Sequence, residues 1–258
     1  MFEIEGKRII VTGGARGIAE TVVRAFAAAG ARVVSFDVSD DAGAKVAAEA
    51  TATGPGSVVY RHVDVSNRAE TFAAVDSAVA ELGGLDSLFH IAGVERSGPV
   101  EDITEADLDV ILNVNVKGTF FINQAVFPHL KTNGGAIVNF GSDAGLAPYP
   151  NGAHYAASKG AVMAFDRTAA AEWGPFGVRV NTVVPAMWTP MYNEHRERMN
   201  AEELAAHDAI MGAMVPLGGR LGDPATDIAP VLVFLASDAS RFITGQIISV
   251  NGGLGNVR

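Results

Sequence analysis

Short runs of β-branched and apolar residues alternate along the chain with longer Ala-rich stretches whose apolar positions recur at helical spacing. The runs are RIIVTG (8–13), RVVSFD (32–37), SVVYRHVDV (57–65), LDSLFHIAG (85–93), AIVNFGS (136–142), VRVNTVVP (178–185) and QIISVNGG (246–253). The helical stretches cover 17–29, 41–52, 67–82, 104–130, 153–173, 201–213 and 224–236. Strands that are apolar at nearly every position predict a parallel sheet covered by helices on both faces. TGPGS at 53–57 reads as a turn, and no repeat or composition break divides residues 1–258. The expected architecture is α/β: one doubly wound domain with seven parallel strands. The segment 186–223 interrupts the alternation longest, is rich in Met and carries a helix of its own. Such an excursion reads as a substrate lid.

Composition narrows the classes. A hydrophobic fraction of 48% in 258 residues supports a large core. Cys is absent, which excludes disulfides and thiol chemistry. Lys and Arg number 19 against 29 Asp and Glu, a formal net charge of −10. Nucleic acid and anionic membranes both favour a basic face, so neither is an expected partner. The N-terminal apolar run is too short to span a bilayer and lacks a basic leader. The expectation is a cytoplasmic protein acting on a small molecule, with no metal.

Candidate chemistry begins at VTGGARGIAE, which joins the first strand to the first helix. Gly13, Gly14 and Gly17 permit a tight turn that brings backbone N–H groups and a helix N-terminus to a pyrophosphate. Asp37 ends the second strand 20 residues after Gly17, where a carboxylate accepts from the adenosine ribose hydroxyls. It would repel a 2′-phosphate, so NAD is favoured over NADP. Arg16 in the turn pulls the other way, but from further off and through solvent.

The whole chain resembles the short-chain dehydrogenase/reductase family in its single-domain Rossmann form. The family's T-G-x-x-x-G-x-G turn stands as Thr12 to Ala19, with Ala19 in place of the last glycine. Asp64 and Val65 resemble its adenine-contacting pair. His90-Ile91-Ala92-Gly93 resembles N-N-A-G, with His90 for a bracing Asn and Ala92-Gly93 intact. Asn115 in NVNVKG, Ser142 after the fifth strand, and Tyr155 with Lys159 match the catalytic set. VVPAMWTP resembles P-G-x-x-x-T, with Pro185 and Thr189 retained and Ala186 for the Gly. The resemblance implies a cofactor site of Gly13, Arg16, Gly17, Ile18, Asp37, Asp64, Val65, Ala92, Gly93, Tyr155, Lys159, Pro185 and Thr189. It also implies homotetramers built on the helices at 104–130 and 153–173. Enoyl reductases of the same superfamily space Tyr and Lys seven apart, which this chain does not.

Taken singly, each polar residue has a plain structural role: a Ser after a strand caps a helix, and a Tyr/Lys pair decorates an exposed one. Together, in order and behind a nucleotide turn, they make an acid/base site. A phenol titrating near 10 is a poor base at neutral pH. An ammonium about 4 Å away, at an effective dielectric of about 20, favours phenolate by roughly 4 kcal/mol. That would bring the phenol to about 7, and spacing of i, i+4 puts both groups on one helix face. Ser142 would bind the substrate oxygen, and Asn115 would anchor a water beside Lys159.

Substrate contacts are expected from Glu95, Asp143, His154, Met187, Trp188 and Met191. The apolar members suggest hydrocarbon or ring character, while Glu95 and Asp143 disfavour an anion. The reaction implied is NAD-dependent interconversion of a secondary alcohol, small, cyclic or polyol, with its ketone. The alternatives are a 3-oxoacyl-thioester (acyl carrier protein) reductase and a catalytically silent nucleotide-binding scaffold.

Overall fold

In the computed structural model, which describes residues 3–256, seven parallel strands form one sheet. They are β1 (Arg8–Thr12), β2 (Arg32–Asp37), β3 (Ser57–His62), β4 (Ser87–His90), β5 (Gly135–Phe140), β6 (Val178–Pro185) and β7 (Ile247–Val250). Their order across the sheet is β3-β2-β1-β4-β5-β6-β7. The helices are α1 (Gly17–Ala28), α2 (Asp40–Thr53), α3 (Arg68–Leu82), α4 (Glu105–Ile111), α5 (Gly118–Leu130), α6 (Ala153–Trp173), α7 (Pro190–Glu197), α8 (Ala201–Met214) and α9 (Ala229–Ala236). Among the described residues no helix is long and apolar enough to cross a membrane.

Side chains alternate between the faces of a strand, and β1 divides its residues accordingly. Ile9 and Val11 pack with Val22, Val23 and Phe26 of α1 and Leu232 and Leu235 of α9. Ile10 joins the opposite layer with Val75 and Leu82 of α3 and Ile122 and Val126 of α5. Because both faces are covered, β1, β4 and β5 are buried along almost their whole length. Phe26 meets Phe89 of β4 edge to face at 4.7 Å between centroids, and both are fully buried.

Several helix starts follow capping chemistry. Asn67, Thr104 and Asn200 each accept a backbone N–H with their side chains at the starts of α3, α4 and α8. The start of α1 has no such side chain, and its N-cap Arg16 is extended.

Three local expectations change. The stretch at 104–130 is α4 and α5 joined by a π-helical turn, Leu112–Lys117. The lid segment holds two helices, and α7 escapes a periodicity reading because PMYNEHRE is polar at most positions. It is fastened sideways instead, by Tyr192 to His207 and Arg196 to Asp208 of α8. β4 stops at His90 because the next two amides, of Ile91 and Ala92, bond to the Thr12 hydroxyl at 3.2 Å rather than to a neighbouring strand.

Truncating Phe26 to Ala should cost about 3–5 kcal/mol, since it opens a cavity against Phe89 in rigid surroundings. Chemical denaturation checks this, and a loss under about 1 kcal/mol would contradict the packing described.

Candidate active site

Crossovers leave β1 and β4 in opposite directions, so a crevice opens beyond their carboxyl ends, the usual ligand position in such sheets. Gly13 lines it with φ +79°, and its amide bonds to Phe36 O at 2.7 Å. A Cβ there would stand 2.9 Å from the Ala92 backbone, so only glycine lets the turn meet the end of β4. Gly17, at φ +63°, begins α1, and nothing lies within 4 Å of where its Cβ would be. The uncapped N-terminus of α1 therefore faces open space, a cradle that suits a pyrophosphate. Half-buried Ile18 follows, and Arg16 is exposed beside it.

Asp37 is locked along this turn: its carboxylate accepts from the amides of Ala15 and Ser39, both at 3.0 Å. Asp64 holds Ser66 through the amide at 2.9 Å and the hydroxyl at 2.7 Å. Val65 is buried against Gly118. Pro185 ends β6, and Thr189 Oγ1 accepts from the Tyr192 amide at 3.3 Å. The residues expected to hold a dinucleotide thus sit at successive strand ends on one edge of the sheet.

His90 ties the two halves of that edge together. Its Nδ1 lies 2.8 Å from Thr12 Oγ1 and its Nε2 3.1 Å from Thr119 Oγ1. Thr119 gives its proton to Asn115 O at 2.6 Å, so Nε2–H must donate to Thr119 and Nδ1 accept from Thr12. Burial and the charge of Lys159 push His90 down to about 3, which keeps the imidazole neutral. It is a brace, as the resemblance implied.

Asn115 sits in the π-helical turn, a distortion frequent at functional sites. Its amide clamps Val94, taking the N–H at 2.8 Å and donating to the C=O at 2.8 Å, and also donates to Ser158 Oγ at 3.1 Å. The Asn115 side chain thus holds the backbone that follows Gly93.

Ser142, Tyr155 and Lys159 come together at the ends of β5 and α6. Ser142 accepts from the Ala144 amide at 3.2 Å, and its hydroxyl favours ionisation of the Tyr155 phenol. Lys159 is 6% exposed. Its ammonium donates to Phe140 O at 2.9 Å and lies 5.7 Å from the centre of the Tyr155 ring. Burial drives Tyr155 up to about 12 and Lys159 down to about 8. The phenol is therefore well above 7 in the chain alone: desolvation outweighs the lowering by the Ser142 hydroxyl, and the charge of Glu95 adds to the rise.

The expected substrate residues divide. Glu95 and Asp143 flank the crevice, Asp143 half-buried, raised by that burial and holding Asn251 at 2.9 Å. Trp188 is 40% exposed at the start of the lid, edge-on to Tyr192 at 5.0 Å. Met187 instead points into the core with Ile228 and Leu232, because its backbone pairs with Gly222 and turns the side chain inward. His154 is 4% exposed, with no hydrogen-bond partner for Nδ1 among the described residues. The side chain of Met191 lies outside the described residues.

Sequence reasoning passed over Tyr149, whose ring is 5.9 Å from that of Tyr155; its place in the loop just before the Tyr/Lys helix was the available signal. It also missed Asp166, two turns along α6 from Lys159. Asp166 is 2% exposed and accepts from Asn139 and Thr182, both at 2.5 Å. Burial raises it to about 7.

Comparison with known proteins agrees with this geometry. Residues 13–255 match the family model described as enoyl-(acyl carrier protein) reductase. The 3-oxoacyl-(acyl-carrier-protein) reductase of Thermotoga maritima is 36% identical over 98% of this chain and 99% of its own. The chain belongs to the short-chain dehydrogenase/reductase family. A gluconate 5-dehydrogenase from Burkholderia cenocepacia, in complex with NADP and tartrate, superposes with a TM-score of 0.91 at 31% identity, covering 100% of this chain and 98% of that one. An NAD+-bound xylitol dehydrogenase gives a TM-score of 0.90 at 31% identity over 97% and 100%. The short-chain dehydrogenase/reductase fold and an oxidoreductase class with a nicotinamide cofactor are thereby supported.

Asp166 sets a pH signature. Its folded value of about 7 exceeds about 3.9 for an unfolded Asp. Its contribution is therefore complete below about pH 4 and is lost as pH rises through about 7. Asp166→Asn, which mimics the neutral carboxyl, should remove a fall of up to about 4 kcal/mol across that window. Unfolding free energies of both proteins between pH 4 and 8 test it; parallel curves would contradict it.

Proposed function

We propose that this chain is an NAD-dependent dehydrogenase that interconverts a secondary alcohol, small, cyclic or polyol, with its ketone. The observation that carries the reading is the meeting of Ser142, Tyr155 and Lys159 beside the crevice that the glycine turn and Asp37 line. Gly13 to Ile18, including Arg16, would hold the pyrophosphate, Asp37 the adenosine ribose, and Asp64 and Val65 the adenine. The Ala92-Gly93 backbone would pass beneath the dinucleotide, and Pro185 and Thr189 would meet the carboxamide. When bound, the oxidised nicotinamide supplies the hydride acceptor and a positive charge.

The chain's own part is proton transfer and positioning. Ser142 donates to the substrate oxygen and fixes its distance. Tyr155 takes the carbinol proton in oxidation and returns it in reduction. Lys159 is the cation that favours phenolate, and its low value of about 8 lets it exchange protons near neutral pH. Asn115 acts through Val94, which it pins next to Gly93. The segment 186–223 closes over the substrate as a lid. A homotetramer built on α5 and α6 agrees with the exposed Phe120, which packs on Phe165 at 4.5 Å between centroids.

The kinship with the Thermotoga enzyme favours a second reading, 3-oxoacyl-thioester reduction; Asp37 counts against it through its repulsion of the 2′-phosphate of NADPH.

Two measurements test the reading, and the second separates it from the alternative. Tyr155→Phe should lower kcat at least about 100-fold with NAD affinity nearly intact; retention of more than about a tenth of the activity would refute the mechanism. The specificity constant for NAD should exceed that for NADP, with Asp37→Ser narrowing the gap. Preference for NADP in the unaltered protein would overturn the cofactor assignment.

A further inference from the structure

Next to the proposed acid/base residues stands a pair that proton transfer does not use. The Tyr149 hydroxyl donates to Glu95 Oε1 at 2.5 Å, and the Tyr149 ring tilts 51° to that of Tyr155. Glu95 is held at both ends. Its head is fixed by Tyr149, and its backbone follows Val94, which Asn115 clamps at two points. The loop behind it is fastened as well, since the Gly98 amide bonds to Asn151 O at 2.7 Å. Among the described residues no cation pairs with Glu95; its neighbour Arg96 reaches Asp107 instead, at 3.6 Å.

An ionised carboxylate offers about four lone-pair positions, and Tyr149 occupies one. The charge of Glu95 reaches the active pair, opposing ionisation of Tyr155 and favouring the ammonium of Lys159. Both Glu95 and Tyr149 are exposed at the mouth of the crevice. An oriented acceptor within range of the reacting phenol suits a hydroxyl donor and repels an anion.

We propose that Glu95, oriented by Tyr149, selects neutral substrates that carry a second hydroxyl next to the reacting carbinol: vicinal diols, polyols and the matching hydroxyketones. This rests on the assignment of Tyr155 as the acid/base. The second hydroxyl donates to Glu95 and keeps all its bonds; the carbinol C–H leaves as hydride to oxidised NAD, and the O–H proton goes to Tyr155. Substrates with a carboxylate or phosphate at that carbon are rejected by like charge.

The test uses the full-length protein and Glu95→Gln, whose amide oxygen still accepts from Tyr149. Both are assayed with NAD on matched pairs, 2,3-butanediol against 2-butanol and cis-1,2-cyclohexanediol against cyclohexanol. The unaltered protein should prefer each diol in kcat/KM. Glu95→Gln should shrink the diol-to-monool ratio about 10-fold or more, because a site built around a hydroxyl discriminates steeply against its absence. Tyr149→Phe should shrink it less, in the same direction. A merely structural staple would lower the melting temperature and leave the ratio alone; an unchanged ratio in Glu95→Gln overturns the proposal. If the unaltered protein oxidises no member of the panel, or Tyr155→Phe remains active, the underlying dehydrogenase reading falls and this inference with it.

Discussion

The burial of Lys159 is the constraint around which the site is arranged. An ammonium taken from water is costly unless hydrogen-bonded and near opposite charge. Here it has one carbonyl, Phe140 O at 2.9 Å, with Asp166 and Glu95 as the carboxylates whose fields favour its charge. The same dry surroundings that lower Lys159 raise Tyr155. The pair is therefore displaced in opposite directions, each away from the ionised form that proton abstraction requires. A positive charge placed beside the phenol would lower it again, so the proposed mechanism couples acid/base readiness to occupancy of the proposed cofactor site.

Geometry in this region is set by side chains that never reach the crevice. The amides of Ile91 and Ala92, Thr12, His90, Thr119 and Asn115 O form one continuous hydrogen-bonded line. It connects the glycine turn after β1 to the π-helical turn before α5. From Thr119 O the line continues through Asn123 and Asn139 to Asp166. Such a network specifies a single arrangement when every member is satisfied. It places Asn115 where its amide holds Val94, and hence Glu95.

The fold was legible because apolar strands and amphipathic helices follow different periods, and Tyr155 and Lys159 because their spacing is local. The place of Asp37 beside the glycine turn was readable from its spacing in the chain. What resisted reading depends on tertiary contact. Met187 looks like a pocket residue until its pairing with Gly222 turns it inward. The helix at Pro190–Glu197 has no apolar stripe and depends on partners in α8. The π-helical turn leaves no mark in composition. The Tyr155 phenol lies above the value its spacing from Lys159 suggests because burial, which a sequence does not display, raises it.

The central claim is that Tyr155 becomes a base only when the nicotinamide charge is beside it. Tyrosine labelled with 13C at Cζ, followed by NMR across alkaline pH with and without saturating NAD+, reads this directly, with Tyr155→Phe giving the resonance assignment. The account predicts a phenol near 12 in the chain alone and, for a unit charge about 6 Å away at a dielectric of about 20, a fall to about 10 or below in the complex. A phenol still titrating at about 12 with NAD+ bound would contradict it.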